Sequence, residues 1–542
     1  MLIPQGMAYA MIAGLPPVYG LYAALVPQVI YAIMGTSRQL AVGPVAMDSL
    51  LVAAGLAALN ISGIDHYIAA AVFLALFMGS VQLLLGLLKM GYLVNFLSRP
   101  VISGFTSAAA IIIGFSQLKH LLGIAVERTN KVHLLFTYTF EHILDTHLLT
   151  LTIGIVTIIA LKVLKKLSPK IPGALIVVVL GILCVYYFKW NEQGVAIVGH
   201  IPEGLPQFGI PALETGQLVS LFPIALTLAL IAFMEAYSIA KAVEERHEDY
   251  KVDANQELKA LGMANIVGSF FQSYPTSGGF SRTAVNDQAG AKTGISALVS
   301  AMLIAITLVF LTSLFYYLPN AVLAAIIMVA VFGLVNISYP KRLYKQRKDE
   351  FWLLILTFII TLTIGIVQGI LIGVLVSLLL MVYRVSKPHI AILGRIKGTD
   401  YFKNVDRFAN DIEEREDLLI LRFDAQLFFG NIAYFKKELH KHIKSKGDPL
   451  KAVILNAEAI NYIDSSALNE LTKVIQELHE NDLKFIMAGA IGPLRDILFK
   501  SGLAKRIGKE NLFVRTFEAV DHYDGIISQQ KTPYKISQQA KT

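Results

Sequence analysis

Long apolar stretches recur along the chain from its first residue to about Arg384, and beyond that point they stop. A helix needs ~20 apolar residues to cross a hydrocarbon core of roughly 30 Å, and several stretches reach that length. Separating the stretches at glycine, proline and charged residues predicts about fourteen membrane segments. The predicted segments lie near residues 1–14, 18–35, 41–60, 66–88, 100–121, 147–166, 172–188, 218–241, 256–272, 278–290, 294–317, 319–337, 351–366 and 368–385.

From Ser386 onward the pattern changes to short alternating and amphipathic stretches. LLILRFDAQLFF, KAVILNAEAI and DLKFIMAGA have the pattern of strands, whereas IAYFKKELHKHI, SSALNELTKVIQELHEN and PLRDILFKSGLAKRI have helical spacing. Strands that alternate with helices predict a small α/β domain with a mostly parallel or mixed sheet. The predicted domains are a membrane domain at 1–386, a linker at 387–400, a soluble domain at 401–525 and a polar tail at 526–542.

Composition and charge agree with a membrane protein, because 55% of the 542 residues are hydrophobic and only 16% are charged. The net charge of +8 is carried mainly by short loops beside the apolar segments. This positive-inside pattern predicts cytoplasmic loops and a cytoplasmic C-terminal domain rather than a nucleic-acid-binding face. Arg128, Lys131 and Lys189 do not follow the pattern. The loop residues that do are Arg38, Lys89, Arg99, Lys162, Lys165, Lys166, Lys170, Lys341, Arg342, Lys345, Arg347 and Lys348.

Signals of an enzyme or of a metalloprotein are missing from the sequence. We find no nucleophile triad, Walker-type loop or metal-ligand cluster, so we expect no enzymatic activity, no cofactor and no metal. Cys184, the one cysteine, lies in apolar GILCVYYF and is interpreted as a packed thiol. The N-terminus has no basic flank or cleavage site of a signal peptide. Because Gln5 and Gly6 stand where the middle of a span is expected, we expect the first helix to be truncated.

Two predicted segments, 41–60 and 278–290, begin with glycine-rich chain and only then become helical. Irregular backbone at membrane depth is costly unless it lines a cavity, and two such segments, each third in a set of seven, indicate an inverted-repeat transporter. Free N–H groups and helix dipoles at the two helix starts would attract an anion. The residues at these starts are Val45 and Ala46 after Gly43 and Pro44, and Ser281 and Arg282 after Gly278 and Gly279. The alternative is that the glycines and the proline only kink a span.

Polar side chains within apolar spans are the remaining candidates for the site. Arg282 must be paired, hydrated or facing a substrate. Glu235 is the only acidic residue of its apolar run and can carry a coupling proton, although a fixed pair with Arg282 is the alternative. Gln5 and Tyr9 lie one helical turn apart and can offer an amide and a hydroxyl to an oxyanion, or hydrogen-bond a neighbouring helix. Asp48, one turn beyond the first helix start, is expected either to lie near the site or to cap a neighbouring element.

In the soluble domain, NYIDSSALNE places Asp464 and Ser465 between a buried strand and a helix. An aspartate or serine at this position caps the helix whatever the function. The functional interpretation is a regulatory loop, because a phosphate at a helix N-terminus is electrostatically stabilised.

Three stretches resemble the sulfate permease (SulP) family of anion transporters: PQGMAYAMIAGLPPVYGLYAALVP at 4–27, GTSRQLAVGPVAMDSL at 35–50, and NQELKALGMANIVGSFFQSYPTSGGFSRTAVNDQAGAKT at 255–293. The tail, with DSSAL after a strand, resembles a STAS domain. The resemblance implies a seven-plus-seven inverted repeat with core and gate domains, usually a homodimer, that works by an elevator-like movement. It implies that the anion site is lined by Gln5, Tyr9, Val45, Ala46, Ser281 and Arg282.

The resemblance also bears on coupling and regulation. Glu235 matches the acidic position that sulfate–proton symporters of the family share. Sodium-dependent bicarbonate members have an aspartate there and a threonine four residues later, where this chain has Ile239, which argues against a sodium site. The loop at Asp464 reads DSSA rather than the commoner DSSG, which weakens the case for phosphorylation of Ser465.

The sequence therefore predicts uptake of sulfate or a similar oxyanion across a bacterial inner membrane, coupled to protons through Glu235. Expected partners are the anion, protons, membrane lipid, a second copy of the chain, and a cytoplasmic protein that binds the STAS domain. Bicarbonate or a dicarboxylate remains open as the substrate, since helix-end sites recognise charge and size more than identity. A membrane regulator that only presents its STAS domain is the alternative of another class.

Overall fold

A computed structural model of the chain describes residues 1–57, 59, 61, 63–92, 98–124, 137–139, 141–168, 172–211, 218–247, 249–333, 335–408 and 410–525. Arg128, Lys131, Lys170 and the predicted polar tail at 526–542 lie outside these residues. The chain divides into two compact units, Met1–Ser377 and Leu378–Thr542.

The first unit is helical, and its last helix continues into the second unit. The helices are α1 (Leu2–Ile12), α2 (Pro17–Ala23), α3 (Val26–Met34), α4 (Ala46–Ala57), α5 (Ile64–Leu87), α6 (Arg99–Leu122), α7 (Leu148–Leu167), α8 (Gly173–Phe188), α9 (Leu218–Glu244), α10 (Ala254–Ser269), α11 (Phe280–Gln288), α12 (Ile295–Ile306), α13 (Asn320–Phe332), α14 (Ser338–Gln346), α15 (Lys348–Thr363) and α16 (Ile366–Ser386). Each of the fourteen predicted membrane segments overlaps at least one of these helices. Within the described residues, seven helical stretches are long and apolar enough to cross a membrane, and α1, α4, α8 and α13 are shorter apolar helices. The predicted polytopic helical fold is confirmed.

Small residues let these helices approach closely. A Cβ added to Gly79 of α5 would lie 2.7 Å from the carbonyl oxygen of Gly262 in α10, and a Cβ on Gly20 of α2 would lie 1.9 Å from that of Gly6 in α1. Glycine at such contacts is typical of membrane helix pairs, because the backbones themselves pack.

One helix was not expected. α14 occupies the basic stretch that the sequence indicated only as a cytoplasmic loop. Its Leu343 is buried, whereas Lys341 and Arg342 are exposed. Leu343 is its one aliphatic residue, so a search for long apolar spans does not detect this short amphipathic helix.

The second unit is an α/β domain built on one mixed seven-stranded sheet. After β1 (Val42–Gly43) and β2 (Ser277–Gly278) of the first unit, the strands of this sheet are β3 (Ile390–Ile396), β4 (Phe402–Asn404), β5 (Ile412–Glu413), β6 (Leu418–Phe423), β7 (Ala452–Asn456), β8 (Lys484–Ala488) and β9 (Leu512–Phe513). Strands β6 to β9 are parallel, and β3 pairs antiparallel with β6 and with the short strands β4 and β5. The helices are α17 (Ile432–Lys446), α18 (Ser465–Glu480), α19 (Gly492–Lys500), α20 (Leu503–Ile507) and α21 (Thr516–Tyr523). The predicted small α/β domain is confirmed.

Strand β3 lies inside the stretch predicted as a linker. It pairs with β6 from Ile390 opposite Phe423 to Leu393 opposite Ile420, and Ala391 and Leu393 are buried in the domain core. The linker at 387–400 is therefore wrong over these residues, because burial against the sheet outweighs the weak local pattern of a short strand. The other predicted domain boundaries stay predictions.

Candidate functional site

The two interrupted segments meet through a pair of very short strands. β1 (Val42–Gly43) and β2 (Ser277–Gly278) pair antiparallel, with Val42 opposite Gly278 and Gly43 opposite Ser277. The N–H of Gly279 donates a hydrogen bond to the carbonyl of Ala41 at 3.0 Å. α4 begins three residues after β1, and α11 begins two residues after β2. The structure therefore brings the two helix starts together.

Glycine at β2 is required by the packing around it. A Cβ on Gly278 would lie 2.8 Å from Leu40 and 3.1 Å from Ala236 of α9, and a Cβ on Gly279 would lie 2.5 Å from the guanidinium carbon of Arg282. The second glycine thus lets the arginine side chain fold back over the strand pair. A side chain at either position would therefore require Leu40, Ala236 or the Arg282 guanidinium to shift.

Arg282 connects the two helix starts. Its side chain is buried, with 6% of its surface exposed, and its Nη1 donates a hydrogen bond of 2.8 Å to the carbonyl of Pro44, next to the start of α4. Its Nε and Nη2 have no hydrogen-bond partner among the residues that the structure describes. A buried guanidinium with open donors is costly unless a ligand or water satisfies it. The geometry therefore leaves two cationic donors available beside two helix N-termini.

Glu235 of α9 lies close enough to Arg282 for their charges to interact. The two side chains are not hydrogen-bonded, because Nη1 of Arg282 is used by Pro44 and its other nitrogens have no partner in the described part of the chain. Glu235 is only partly buried. The fixed pair considered from the sequence is thus absent in this structure, and the coupling role of Glu235 stays a prediction.

Gln5 and Tyr9 lie on α1 with 7% and 6% of their surfaces exposed. The Tyr9 hydroxyl is near enough to Arg282 and Glu235 for electrostatic interaction. The Oε1 of Gln5 is buried without a partner in the described ranges. An interhelical hydrogen bond, the alternative for Gln5, is therefore not made through this oxygen.

Val45 and Ala46 are buried at the start of α4, with 8% and 5% of their surfaces exposed, so they offer backbone rather than side-chain polar groups. Ser281, in the first turn of α11, is exposed. Of the six predicted anion-site residues, Ser281 alone stands on an open face. Their role in anion binding stays a prediction.

Two buried residues that the sequence did not assign to the site lie beside it. Asp48 of α4 is fully buried, both of its carboxylate oxygens lack a hydrogen-bond partner in the described residues, and its charge interacts with that of Glu235. The Tyr274 hydroxyl lies 3.0 Å from the Ser49 hydroxyl. Asp48 was noticed in the sequence, but its spacing from Pro44 could not show that its oxygens remain unpaired. No pattern in the sequence indicated Tyr274.

Two side chains of α10 form hydrogen bonds with the segments that precede the two short strands. Glu257 is fully buried and accepts hydrogen bonds from the Tyr31 hydroxyl at 2.7 Å and from the backbone N–H of Thr36 at 2.7 Å. Asn265 accepts from the backbone N–H of Thr276 at 2.8 Å and donates to its carbonyl at 3.0 Å. Thr36 precedes β1 and Thr276 directly precedes β2. One helix therefore fixes the approach to both helix starts.

A cavity of about 590 Å³ adjoins the site without containing it. Its walls include Met11 of α1 and Leu50 of α4, together with Tyr67, Gln117 and Asn320. The cavity does not include any of the six predicted anion-site residues.

In the second unit, Asp464 caps α18. Its Oδ1 accepts a hydrogen bond from the N–H of Ala467 at 2.7 Å, and its Oδ2 accepts one from the N–H of Phe429 at 2.9 Å. Ser465 is exposed at the start of the helix. The capping role is therefore present, and a regulatory role for Asp464 and Ser465 stays a prediction.

Comparison with known proteins places the chain among membrane transporters. The model of the sulfate permease family matches residues 1–357, and that of the STAS domain matches residues 409–522. The chain is 37% identical over 537 residues to the chloroplastic sulfate transporter 4.1 of Arabidopsis thaliana, covering 96% of this chain and 78% of that protein. It is 32% identical over 525 residues to a probable sulfate transporter of Mycobacterium tuberculosis, covering 96% and 93%.

Solved structures show the same fold. The murine Solute Carrier 26 family member A9 anion transporter in the inward-facing state matches with a TM-score of 0.89 and 24% identity, over 97% of this chain and 89% of that one. The transmembrane domain of a cyanobacterium bicarbonate transporter matches with a TM-score of 0.60 and 23% identity, over 70% and 93%. These likenesses concern the fold alone.

Proposed function

The chain belongs to the sulfate permease family, and on that premise we propose that it carries sulfate or a similar inorganic oxyanion across the bacterial inner membrane by proton-coupled secondary active transport. As a member of this family it is a multi-pass membrane anion transporter with a C-terminal STAS domain, and it is not an enzyme. The observation that carries the proposal is Arg282, buried between two helix starts with open donors.

Anion binding follows from the electrostatics of this arrangement. Each helix N-terminus carries roughly half a positive charge, and the first N–H groups of a helix have no carbonyl partner within the helix. Arg282 adds a full positive charge and a planar fork that suits an oxyanion. Gln5, Tyr9 and Ser281 supply neutral polar groups, while Val45 and Ala46 leave room for the backbone of α4 to approach the ligand. The site is thus built for a small, strongly charged anion.

Proton coupling follows from Glu235. When Glu235 is ionised, its charge offsets that of Arg282 and weakens the attraction for an anion. When it takes up a proton, Arg282 is left uncompensated and binds the anion more strongly. Because binding free energies are reciprocal, each ligand then favours the other, which is the requirement for symport.

Transport by an elevator-like movement is consistent with the way the site is held. The two short strands pair with each other, and α10 fixes the chain before each of them, so the site can move as one body. We propose that the interrupted segments are the third members of two inverted seven-segment repeats, that the remaining helices form a gate, and that the transporter is a homodimer.

Two other functions remain as alternatives. Bicarbonate or a dicarboxylate can occupy a site of this kind, and either substrate would leave the mechanism unchanged. A membrane regulator that presents its STAS domain to a cytoplasmic protein would instead depend on the exposed Ser465.

Sulfate uptake by the full chain in proteoliposomes tests the proposal. An acidic exterior should accelerate uptake by the natural protein, and Glu235→Gln should remove this acceleration while sulfate still binds. Glu244→Gln, on the same helix, is the matched control and should retain the pH response. Sulfate uptake that is insensitive both to the pH gradient and to Glu235→Gln contradicts proton coupling. Uptake of bicarbonate or of a dicarboxylate in place of sulfate would establish the corresponding alternative.

A further inference from the structure

The second unit contains a pocket of about 400 Å³ that takes no part in the proposed transport site. Three strands build it, because Ala391 of β3 pairs with Arg422 of β6, and Leu393 of β3 pairs with Asn404 of β4. We call it the basic pocket, and its lining residues are His389, Lys403, Asn404, Arg407, Phe408, Arg422 and Asp424. The sheet therefore brings basic side chains from three places in the sequence to one cavity.

Positive charge is in excess in the basic pocket. Asp424 is the one acidic residue among its seven lining residues, and it is already paired with the Nε of Arg422 at 2.5 Å and with the Nδ1 of His389 at 2.8 Å. Burial acts to raise the pKa of Asp424, but hydrogen bonds from Arg422 and His389 outweigh burial and hold the pKa below its usual range. Lys403 and Arg407 are exposed and add two positive charges that Asp424 does not offset. Such a pocket attracts an anion.

The pocket lies close to the end of the last apolar helix. His389 follows Ser386, the last residue of α16, by three residues, which limits the separation of the two Cα atoms to about 11 Å. Lys387 between them lies 4.8 Å from the ring of Tyr383. Basic residues directly after a membrane helix are attracted to anionic lipid headgroups. Phe408, 41% exposed in the pocket lining, adds an apolar surface beside the charges.

We propose that the basic pocket binds a phosphate-type oxyanion group through Lys403 and Arg407, beside Arg422, whose own Nε and Nη2 already donate to Asp424. Arginine and lysine together suit this ligand, because the guanidinium binds two oxygens in a fork and the ammonium acts as a point charge. The group can come from the headgroup of an anionic lipid in the same membrane or from a free oxyanion in solution. This site is separate from the transport site and does not depend on the transported substrate.

Hydrogen exchange of the full chain in nanodiscs tests the proposal, because it reports on residues 389–408 independently of the transport site. One arm adds inorganic phosphate at constant ionic strength to nanodiscs of phosphatidylcholine. The other arm compares nanodiscs of phosphatidylcholine with nanodiscs that also contain phosphatidic acid. The test variant is Lys403→Gln with Arg407→Gln. The control is Lys505→Gln with Arg506→Gln, which removes the same charge from exposed positions of the same domain.

The expected result is slower exchange at 389–408 in at least one arm. The natural protein and the control should respond alike. The test variant should need about 100-fold more inorganic phosphate in the first arm, and its exchange should not slow with phosphatidic acid in the second. A response to inorganic phosphate identifies a free oxyanion as a source, and a response only to phosphatidic acid identifies the lipid headgroup. Unchanged exchange in both arms, or an equal response from both double variants, overturns the proposal.

Discussion

Two helix starts in this protein differ in whether a side chain of the chain itself caps the positive end of the helix. α18, in the STAS domain, begins at a carboxylate of its own chain, because Asp464 accepts hydrogen bonds from the N–H groups of Ala467 and Phe429. α11, in the membrane domain, begins at Gly279 without any side-chain cap, and a buried arginine with open donors stands beside it. The first start is electrostatically satisfied by the fold. The second is left able to bind a negative ligand.

This difference separates a structural helix start from a binding one. A capping carboxylate lowers the free energy of the folded chain and leaves little attraction for an external anion. An uncapped start with a guanidinium lowers stability, because buried donors lack partners, but it favours an anion that supplies them. Under the proposed function, the neighbouring side chains therefore decide whether a helix start is structural or binds an anion.

The largest expected effect comes from removing the positive charge at the binding start. Arg282→Ala should lower the initial rate of sulfate uptake by about 100-fold, since it removes two hydrogen bonds from a charged donor to the anion. Arg282→Lys keeps the charge but not the fork and should retain part of the activity. Asp464→Ala should leave the rate nearly unchanged. An equal reduction of proteoliposome uptake by Asp464→Ala and by Arg282→Ala would contradict the difference between the two helix starts.

The next effect concerns how the binding start is held. Asn265→Ala leaves the buried N–H of Thr276 without its acceptor, so we expect a loss of about 1–3 kcal/mol in the free energy of unfolding and weaker sulfate binding. Asn410→Ala, at an exposed position of the STAS domain, is the control and should change stability by less than about 0.5 kcal/mol. Denaturation and sulfate binding of the full chain in detergent measure both effects. Unaltered sulfate affinity in Asn265→Ala would show that α10 does not position the site.

A smaller effect is expected at the structural start. Asp464→Ala removes the cap of α18 and should destabilise the STAS domain by about 1 kcal/mol, whereas Asp464→Asn retains an acceptor oxygen and should cost less. Hydrogen exchange of residues 465–480 in the full chain measures the difference. Equal exchange in the natural protein and in Asp464→Ala would mean that the cap does not stabilise this helix.

The smallest effect is a dependence on pH in the same domain. A side-chain hydrogen bond from Arg415 lowers the pKa of Asp417, to which the Tyr523 hydroxyl also donates at 3.1 Å. The folded pKa is therefore below the unfolded value of about 3.9, so the stabilisation is present above that pH and is lost as the pH falls through the folded pKa. Asp417→Asn should flatten the acid-induced loss of STAS-domain stability, as measured by proteolysis. An unchanged acid response would contradict this assignment.

The features of the fold and of the site that the sequence could predict depend on residues close together in the chain. Gly43 with Pro44 and Gly278 with Gly279 interrupt apolar runs, so the two broken segments and Arg282 beside them could be found from the sequence. The same holds for the alternation of β6, β7 and β8 with their helices. These features depend on residues that are neighbours in the chain.

The parts that could not be predicted depend on contacts between distant residues. Tyr31 and Glu257 are 226 positions apart, and nothing near Glu257 in the sequence indicates its partners. The unpaired oxygens of Asp48 and the packing of Tyr274 on Ser49 are likewise set by the way helices assemble. Strand β3 was read as a linker because its pairing with β6 supplies the burial that its own short pattern does not indicate.

The most direct test of the central claim is to locate a bound anion. Selenate resembles sulfate and scatters anomalously, so crystals of the full chain grown with selenate can show its position. We predict a single strong peak between the first turns of α4 and α11, within hydrogen-bond reach of the Arg282 guanidinium and lost in Arg282→Ala. A peak confined to the adjoining cavity beside Met11 and Leu50, with none between the helix starts, would contradict the account.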